Sequence, residues 1–577
     1  MGMRDKTMLL QDSSNIVVSK GKRNYCCRKN LYDAMSKPIN QQNKETLLNI
    51  EKWLDEGGSE FCEASAPRLD DTFQEELQAD RCAQDCSYHS ACSFSRMKKN
   101  RKNAAGIIVT NHNQLISDLK LRSRDRGSLW RRPSLYIIDE AHALLDISRN
   151  ELAIKVSVHN IRRVLNKAQE NKSVREWQAD FRQHFKTLSH LTESIKSSIG
   201  QTIDSGSLLL RSSVELGDAL RESMQEMLGS IRSVNETINI INSSLNDVRI
   251  KEIEVLENIS KDMDNIEESL KDYISSLNNT VNQAFWSEKD RRGKITLYAA
   301  PLDPGEFLAG ALWQTHCPII LTSGTMTTNK RFDQIERALK LSAVPGHRRK
   351  TPARFDSPYD FKNKVLIYVP NDLPEPKHTE EGEEDVFAPA IAERIYELLT
   401  YSQGRALVLF TTYYRMGVVH DYLRESHRNY SILKQGDASP GIVLKRFRED
   451  YSSVLLATRS LWEGTDVAGG ALSLLVIDKL PFPVRSDPLI EKLAERAKRE
   501  GKDPMQEVIL PMMLTDLSQG SGRLIRQEGD SGIIALLDRR AWTPKYRSLV
   551  EDHLPPSPWT SNIADVRDWF SKDTRTV

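Results

Sequence analysis

The stretch Leu135-Tyr-Ile-Ile-Asp139-Glu140-Ala141-His142 decides the fold. Four consecutive apolar residues read as a buried central strand of a parallel sheet, and side chains just past its carboxyl end face the crevice where α/β sheets bind ligands. There Asp139 can hold Mg²⁺, usually through water, while Glu140 polarises an attacking water, the arrangement NTP hydrolysis needs. The plainer alternative is an ordinary strand whose acidic end caps the next helix. Asp-Glu-Ala-His alone does not separate the two; the residues around it do.

Outward from this strand, no proline occurs from Ser134 to Ala300, although the chain has 23. The gap predicts a long helical insertion. Apolar residues recur in three- and four-residue steps at Val234, Ile238, Ile241, Leu245 and Val248, then at Leu256, Ile259, Met263, Ile266, Leu270, Tyr273 and Leu277, which is the spacing of helices packed along a narrow seam. Beyond it, Pro318-Ile-Ile-Leu-Thr-Ser-Gly-Thr-Met326 reads as strand then turn. The runs Ala406–Phe410, Val454–Ala457, Leu472–Ile477 and Gly532–Leu537 alternate with polar, helix-compatible segments. Such alternation predicts βαβ units and a second parallel sheet.

At 577 residues several domains are expected, because one hydrophobic core rarely serves so long a chain. With 81 basic and 80 acidic residues the net charge is +1, so contact with nucleic acid must come from local patches rather than a global field. No apolar run approaches the ~20 residues that span a bilayer; no membrane is implicated and the cytoplasm is the expected compartment.

Six of the seven cysteines, at positions 26, 27, 62, 82, 86 and 92, precede residue 100. Clustering in a reducing compartment points to metal rather than disulfides. Cys82-Ala-Gln-Asp-Cys86-Ser-Tyr-His-Ser-Ala-Cys92 lets three thiols converge, with Cys27 or Cys26 as the fourth ligand. Four thiolates suit zinc or a [4Fe-4S] cluster, and spacing does not decide between them. The run Arg96-Met-Lys98-Lys99-Asn-Arg101-Lys102 follows directly and offers a phosphate-contacting surface. Asn111 and His112 are further candidates for DNA contact.

These residues converge on a family. Lys20-Gly-Lys-Arg-Asn-Tyr-Cys-Cys27, the Cys82/Cys86/Cys92 triplet, Val109-Thr-Asn-His112, Asp139–His142, Ser323-Gly-Thr-Met326, Trp462-Glu-Gly464-Thr-Asp466 and Gln519-Gly-Ser-Gly-Arg523-Leu-Ile-Arg526 resemble, in the same order, the signatures of DinG-type helicases in the XPD-like branch of superfamily 2. The resemblance implies an α/β fold of two RecA-like parallel-sheet domains, the first incomplete, with an iron–sulfur insertion and a helical arch insertion. It implies boundaries at 1–23 (a remnant of the first RecA-like domain), 24–103 (iron–sulfur domain), 104–150 (first domain with the acidic box), 151–295 (arch), 296–345 (end of the first domain) and 346–577 (second domain).

By the same resemblance the cluster is [4Fe-4S], held by Cys27, Cys82, Cys86 and Cys92. The activity is ATP- and Mg²⁺-dependent 5′→3′ unwinding in DNA repair or replication, by a monomer acting on single-stranded or forked DNA, with RNA–DNA hybrids as a further substrate. Asp139, Glu140 and His142 are the expected catalytic residues of the first domain, with Asp139 on the metal. Gln519, Arg523 and Arg526 are expected on one face of a helix, at i, i+4 and i+7, presenting guanidinium groups to the γ-phosphate. Ser323 and Thr325 link the two sheets, and Gly464 and Asp466 couple nucleotide to DNA grip.

One departure is large. The family places a G-x-x-x-x-G-K-[ST] phosphate loop upstream of the cysteines, and neither Gly21-Lys22-Arg23 nor Arg349-Lys350-Thr351 provides it. Two explanations fit: the natural chain begins further upstream, or a short protein has lost ATPase activity and acts as a pseudo-helicase that binds DNA or a partner. In either case the first domain should carry uncovered apolar surface.

Overall fold

The structure, a computed structural model, describes residues 16–36, 41–61, 66–67, 69, 71–79, 86–104, 106–170, 177–200, 210–213, 218–245, 250–290, 293–327, 331–376, 385–426, 430–438, 440–458 and 472–572. Cys62, Cys82, Val248, Gly464 and Asp466 lie outside these residues.

The first lobe holds two parallel strand pairs. β1 (Ile16–Ser19) pairs with β2 (Ile107–Thr110), and β3 (Tyr136–Ile138) pairs with β8 (Ile319–Leu321). One face of these strands packs on a core that includes Leu115, Ile116, Leu119, Trp130, Ile138 and Leu308. The other face is open: Ile107 is 55% exposed, Ile137 66% and Ile320 47%. This corrects the reading of residues 135–138 as a strand buried on both sides. The strand is three residues long and alternates, with Ile138 inside and Ile137 outside, as a sheet covered on one face does.

Between β1 and β2 the chain makes a small cysteine-bearing unit of helices Arg28–Met35, Gln41–Asp55, Asp71–Leu77 and Ser93–Asn103. Leu31, Leu47, Ile50, Trp53 and Leu77 form its core.

After the helix Leu144–Leu152 the chain leaves the first lobe for the insertion. Its helices Val158–Glu170, Gln178–Gly200, Asp218–Ser244 and Ile250–Ser276 bury the expected seam, with Val234, Ile238, Leu256, Met263, Leu270 and Tyr273 almost inaccessible to solvent. The insertion is not wholly helical. β4 (Ile154–Ser157), β5 (Leu210–Ser213), β6 (Gln283–Lys289) and β7 (Ile295–Pro301) form an antiparallel sheet in the order β4-β7-β6-β5. Proline scarcity reports the absence of helix breakers, and antiparallel strands are equally free of them. Val156, Ile295, Leu297 and Ala299 face the helices, while Ala284, Trp286 and Ala300 pack on Leu493 of the second lobe.

The second lobe is a seven-stranded parallel sheet in the order β11-β12-β10-β13-β14-β9-β15. Its strands are β9 (Val365–Tyr368), β10 (Ala406–Phe410), β11 (Ile432–Lys434), β12 (Val454–Thr458), β13 (Leu474–Ile477), β14 (Gly532–Leu536) and β15 (Trp559–Thr560). The four runs singled out in the sequence are β10, β12, β13 and β14. Side chains alternate between two cores: Val365, Ile367, Leu407 and Leu409 face one, while Leu366, Tyr368, Val408 and Phe410 face the other. Helices cover both faces, so these strands read as continuous apolar runs.

Candidate functional site

β3 and β8 run in parallel register with Ile138 opposite Leu321, so the next residues of each strand, Asp139 and Thr322, emerge side by side. The Thr322 hydroxyl donates to Asp139 Oδ1 at 2.8 Å, and the Glu140 amide donates to the same oxygen at 3.1 Å. The chain then turns sharply. Glu140 sits at φ +51°, ψ +44°, a left-handed conformation that non-glycine residues adopt at a cost. It is held there by the Ala141 amide on the Thr322 carbonyl at 2.9 Å and by His112, whose Nε2 lies 2.9 Å from the Asp139 carbonyl. Both carboxylates are exposed to solvent.

His142 joins the two lobes. Its Nδ1 is 2.6 Å from Ser323 Oγ, and its Nε2 is 2.5 Å from Nε2 of Gln519 in the second lobe. Gln519 Nε2 can only donate, so His142 Nε2 accepts and the neutral ring carries its proton on Nδ1. Ser323 Oγ then accepts from His142 and from the Thr325 amide at 3.1 Å, and it donates to Glu140 Oε2 at 3.2 Å. Donors therefore run in one direction, from the second-lobe helix to the carboxylate of Glu140. The geometry brings Asp139, Glu140, His142, Ser323, Thr325 and Gln519 together.

Arg523 and Arg526 are placed differently from the expectation. The helix Leu510–Ser521 ends before them, with Gly522 as its cap, so the three residues do not share one helical face. Gly520 and Gly522 weaken helix continuation at that point. Arg526 instead lies in a loop whose backbone is fixed by the Asp530 carboxylate, on its amide at 2.8 Å, and by the Tyr359 hydroxyl, on its carbonyl at 2.8 Å. Its guanidinium Nε is buried with no hydrogen-bond partner.

Sequence reasoning missed Thr322 and the role of His112. A polar residue directly after each of two paired strands was the available signal for Thr322. His112, read as a DNA contact, instead faces the Asp139 carbonyl, as the first residue of the helix His112–Ser123 capped by Asn111. Arg101 in the basic run is likewise structural: it is buried and donates to Ser19 and Gln114. Arg96, Lys98, Lys99 and Lys102 of the same run remain exposed.

In the cysteine unit the two adjacent thiols part company. Cys26 packs with Leu31, Leu47 and Leu77, and burial pushes its pKa up to about 12. Cys27 caps the helix Arg28–Met35 and lies in a separate cluster with Tyr25, Ala79 and Met97. Burial raises its pKa, backbone amides at the helix start oppose that rise, and the nearby thiols of Cys92 and Cys86 add to it. Cys92 caps the helix Ser93–Asn103.

Among the described residues no set of three His, Cys, Asp or Glu side chains is arranged to hold a metal ion. Mg²⁺ does not need one, since it keeps several waters and takes one or two carboxylates plus substrate phosphates; the exposed carboxylate of Asp139 suits it.

Two sheet lobes bridged at an acidic turn define the class: a two-lobed, nucleotide-dependent helicase. The DEAD_2 family profile matches residues 4–161, and the Helicase C-terminal domain profile matches residues 395–557. The chain is 26% identical over 565 residues to the ATP-dependent DNA helicase YoaA of Haemophilus influenzae, covering 96% of this chain and 84% of that protein. It is 26% identical over 596 residues to the ATP-dependent DNA helicase DinG of Photobacterium profundum, covering 94% and 83%. A solved XPD helicase structure superposes with a TM-score of 0.52 at 15% identity over 96% of this chain and 88% of that one, which speaks to the fold alone. The chain belongs to the DinG-like, XPD-related superfamily 2 helicases. Among the described residues no helix is long and apolar enough to cross a membrane.

Proposed function

We propose that this chain is an ATP-dependent DNA helicase of the DinG type that unwinds forked DNA 5′→3′ from a single-stranded tail, as a cytoplasmic monomer serving DNA repair or replication. RNA–DNA hybrids are a second substrate class. The observation that carries the reading is the Gln519–His142 contact, which connects the second lobe through Ser323 to Glu140. Closure of the lobes on ATP then orients Glu140 toward the attacking water, with Asp139 on Mg²⁺ and Arg523 and Arg526 serving the γ-phosphate. Gly464 and Asp466 couple that closure to DNA grip.

The test is DNA-stimulated phosphate release and strand separation on forks with a 5′ or a 3′ tail. The reading expects activity on the 5′-tailed fork and a loss of at least ~10²-fold in Glu140→Gln. Equal unwinding from both tails would refute the polarity. The competing reading is an ATPase-deficient protein that binds DNA or a partner. It expects DNA binding that ATP leaves unchanged, with no turnover.

The same reading assigns a [4Fe-4S] cluster to Cys27, Cys82, Cys86 and Cys92. Support comes from Cys86 and Cys92 each lying near enough to act on the Cys27 thiol, while Cys26 packs into an apolar core. The cluster, when bound, supplies a rigid pin for the DNA-facing unit. Cys27→Ser should give colourless, iron-poor protein, whereas Cys26→Ser should stay brown; colourless protein binding zinc instead would refute the cluster.

A further inference from the structure

Helix His112–Ser123 touches three parts of the molecule. At its start, His112 Nε2 donates to the Asp139 carbonyl at 2.9 Å, one of the contacts that hold Glu140 in its left-handed turn. Along its side, three residues grip Glu151, the next-to-last residue of the helix that follows the acidic box. Asn113 Nδ2 donates to Glu151 Oε1 at 2.7 Å, Ser117 Oγ to Oε2 at 3.5 Å, and Lys120 Nζ to the Glu151 carbonyl at 2.7 Å. Its opposite face is buried through Leu115, Ile116 and Leu119.

At its end the chain makes a tight turn with Asp125 at φ +51° and Gly127 at φ +93°, fixed by the Arg126 amide on the Leu121 carbonyl at 2.9 Å. The turn presents two arginines to the insertion's last long helix. Arg124 pairs with Glu268 at 2.9 Å and Asp272 at 3.0 Å, and Arg126 pairs with Glu268 at 2.6 Å. These groups are between 35% and 54% exposed, so they are surface ion pairs that added salt weakens. A contact of this kind can open and close.

We propose that helix His112–Ser123 is a strut between the acidic turn and the helical insertion: His112 is a positioning residue for Asp139 and Glu140, and the Arg124–Arg126 turn is a salt-sensitive latch that docks the insertion on the first lobe. The inference rests on the helicase reading only for the role of the turn. Because the helix is bolted along its side to Glu151, displacement at the latch is carried to His112 rather than lost in a loop. Docking the insertion and setting Glu140 are then coupled, and the coupling is reciprocal.

The test is amide hydrogen exchange on the full chain with neither nucleotide nor DNA present, so it stands apart from success or failure of the ATPase. The reporters are Ala141 and Ala143, whose amides donate to Thr322 and Glu140 carbonyls. Joint Arg124→Glu and Arg126→Glu should speed their exchange by about tenfold, and 0.5 M salt should do so by roughly the same factor in the parent chain. Adding Glu268→Arg and Asp272→Arg should restore protection. In a His112→Ala chain exchange at the turn should already be fast, and the latch reversal should add nothing; His112→Gln, which keeps a donor, should lie between. Exchange that rises only near residues 121–128 and 264–276, or latch and His112 effects that add, would overturn the strut.

Discussion

At the scale of single residues, geometry and burial decide what each ionisable group does. Asp139 and Glu140 are exposed and work by position: a hydroxyl and an amide hold one carboxylate, and a left-handed backbone aims the other. Asp478, just past β13, is the opposite case. It is fully buried and accepts from the Thr411 amide, the Thr411 hydroxyl and the Lys479 amide. Burial pushes its pKa up to about 6 despite these donors and the nearby Arg415. A carboxyl whose folded pKa is raised binds its proton more tightly when folded, so stability falls as pH rises from about 4 to about 6, on the order of 2–3 kcal/mol. Urea midpoints measured from pH 4 to 7 should show this decline in the parent chain and lose it in Asp478→Asn. At the same scale, cysteine spacing left Cys26 and Cys27 equivalent; a pair of adjacent residues whose side chains enter different clusters separates them.

At the scale of elements, the two lobes differ in how their strands are covered. In the second, apolar residues lie on both faces, and the strands were legible as unbroken runs. In the first, only alternate residues are buried, and the run at 135–138 does not reveal which ones. Ile138→Ala should therefore cost ~2–4 kcal/mol, while Ile137→Ser should change stability by less than ~1 kcal/mol; equal losses in thermal unfolding would contradict the open face. The helical seam of the insertion was legible because a 3.6-residue period survives tertiary folding. Its antiparallel sheet was not, since β4 pairs with β7 across about 140 residues of intervening chain. The end of helix Leu510–Ser521 falls at its glycines; helical spacing alone carried the pattern past them to Arg526.

At the scale of the whole molecule, the telling contact is the one between lobes. Gln519→Ala removes the second-lobe partner of His142 Nε2 and so uncouples Glu140 from the second lobe. Turnover stimulated by DNA should fall by about tenfold or more, while DNA affinity without nucleotide stays within about twofold; loss of both would mean that Gln519 serves folding or DNA binding instead. The sequence by itself determined the class: the order of the acidic box, the cysteines, the Ser-Gly-Thr turn and the Gln-Gly-x-Gly-Arg run, together with the apolar periods of strands and helices, since these are local and the chain carries them whatever its partners. Only tertiary structure decided that Thr322 and His112 support the acidic turn, that Cys27 lies near Cys86 and Cys92 while Cys26 enters an apolar core, and that Arg101 is buried. Each depends on registers and contacts between segments far apart in the chain, and no local pattern encodes which distant side chain completes a hydrogen bond.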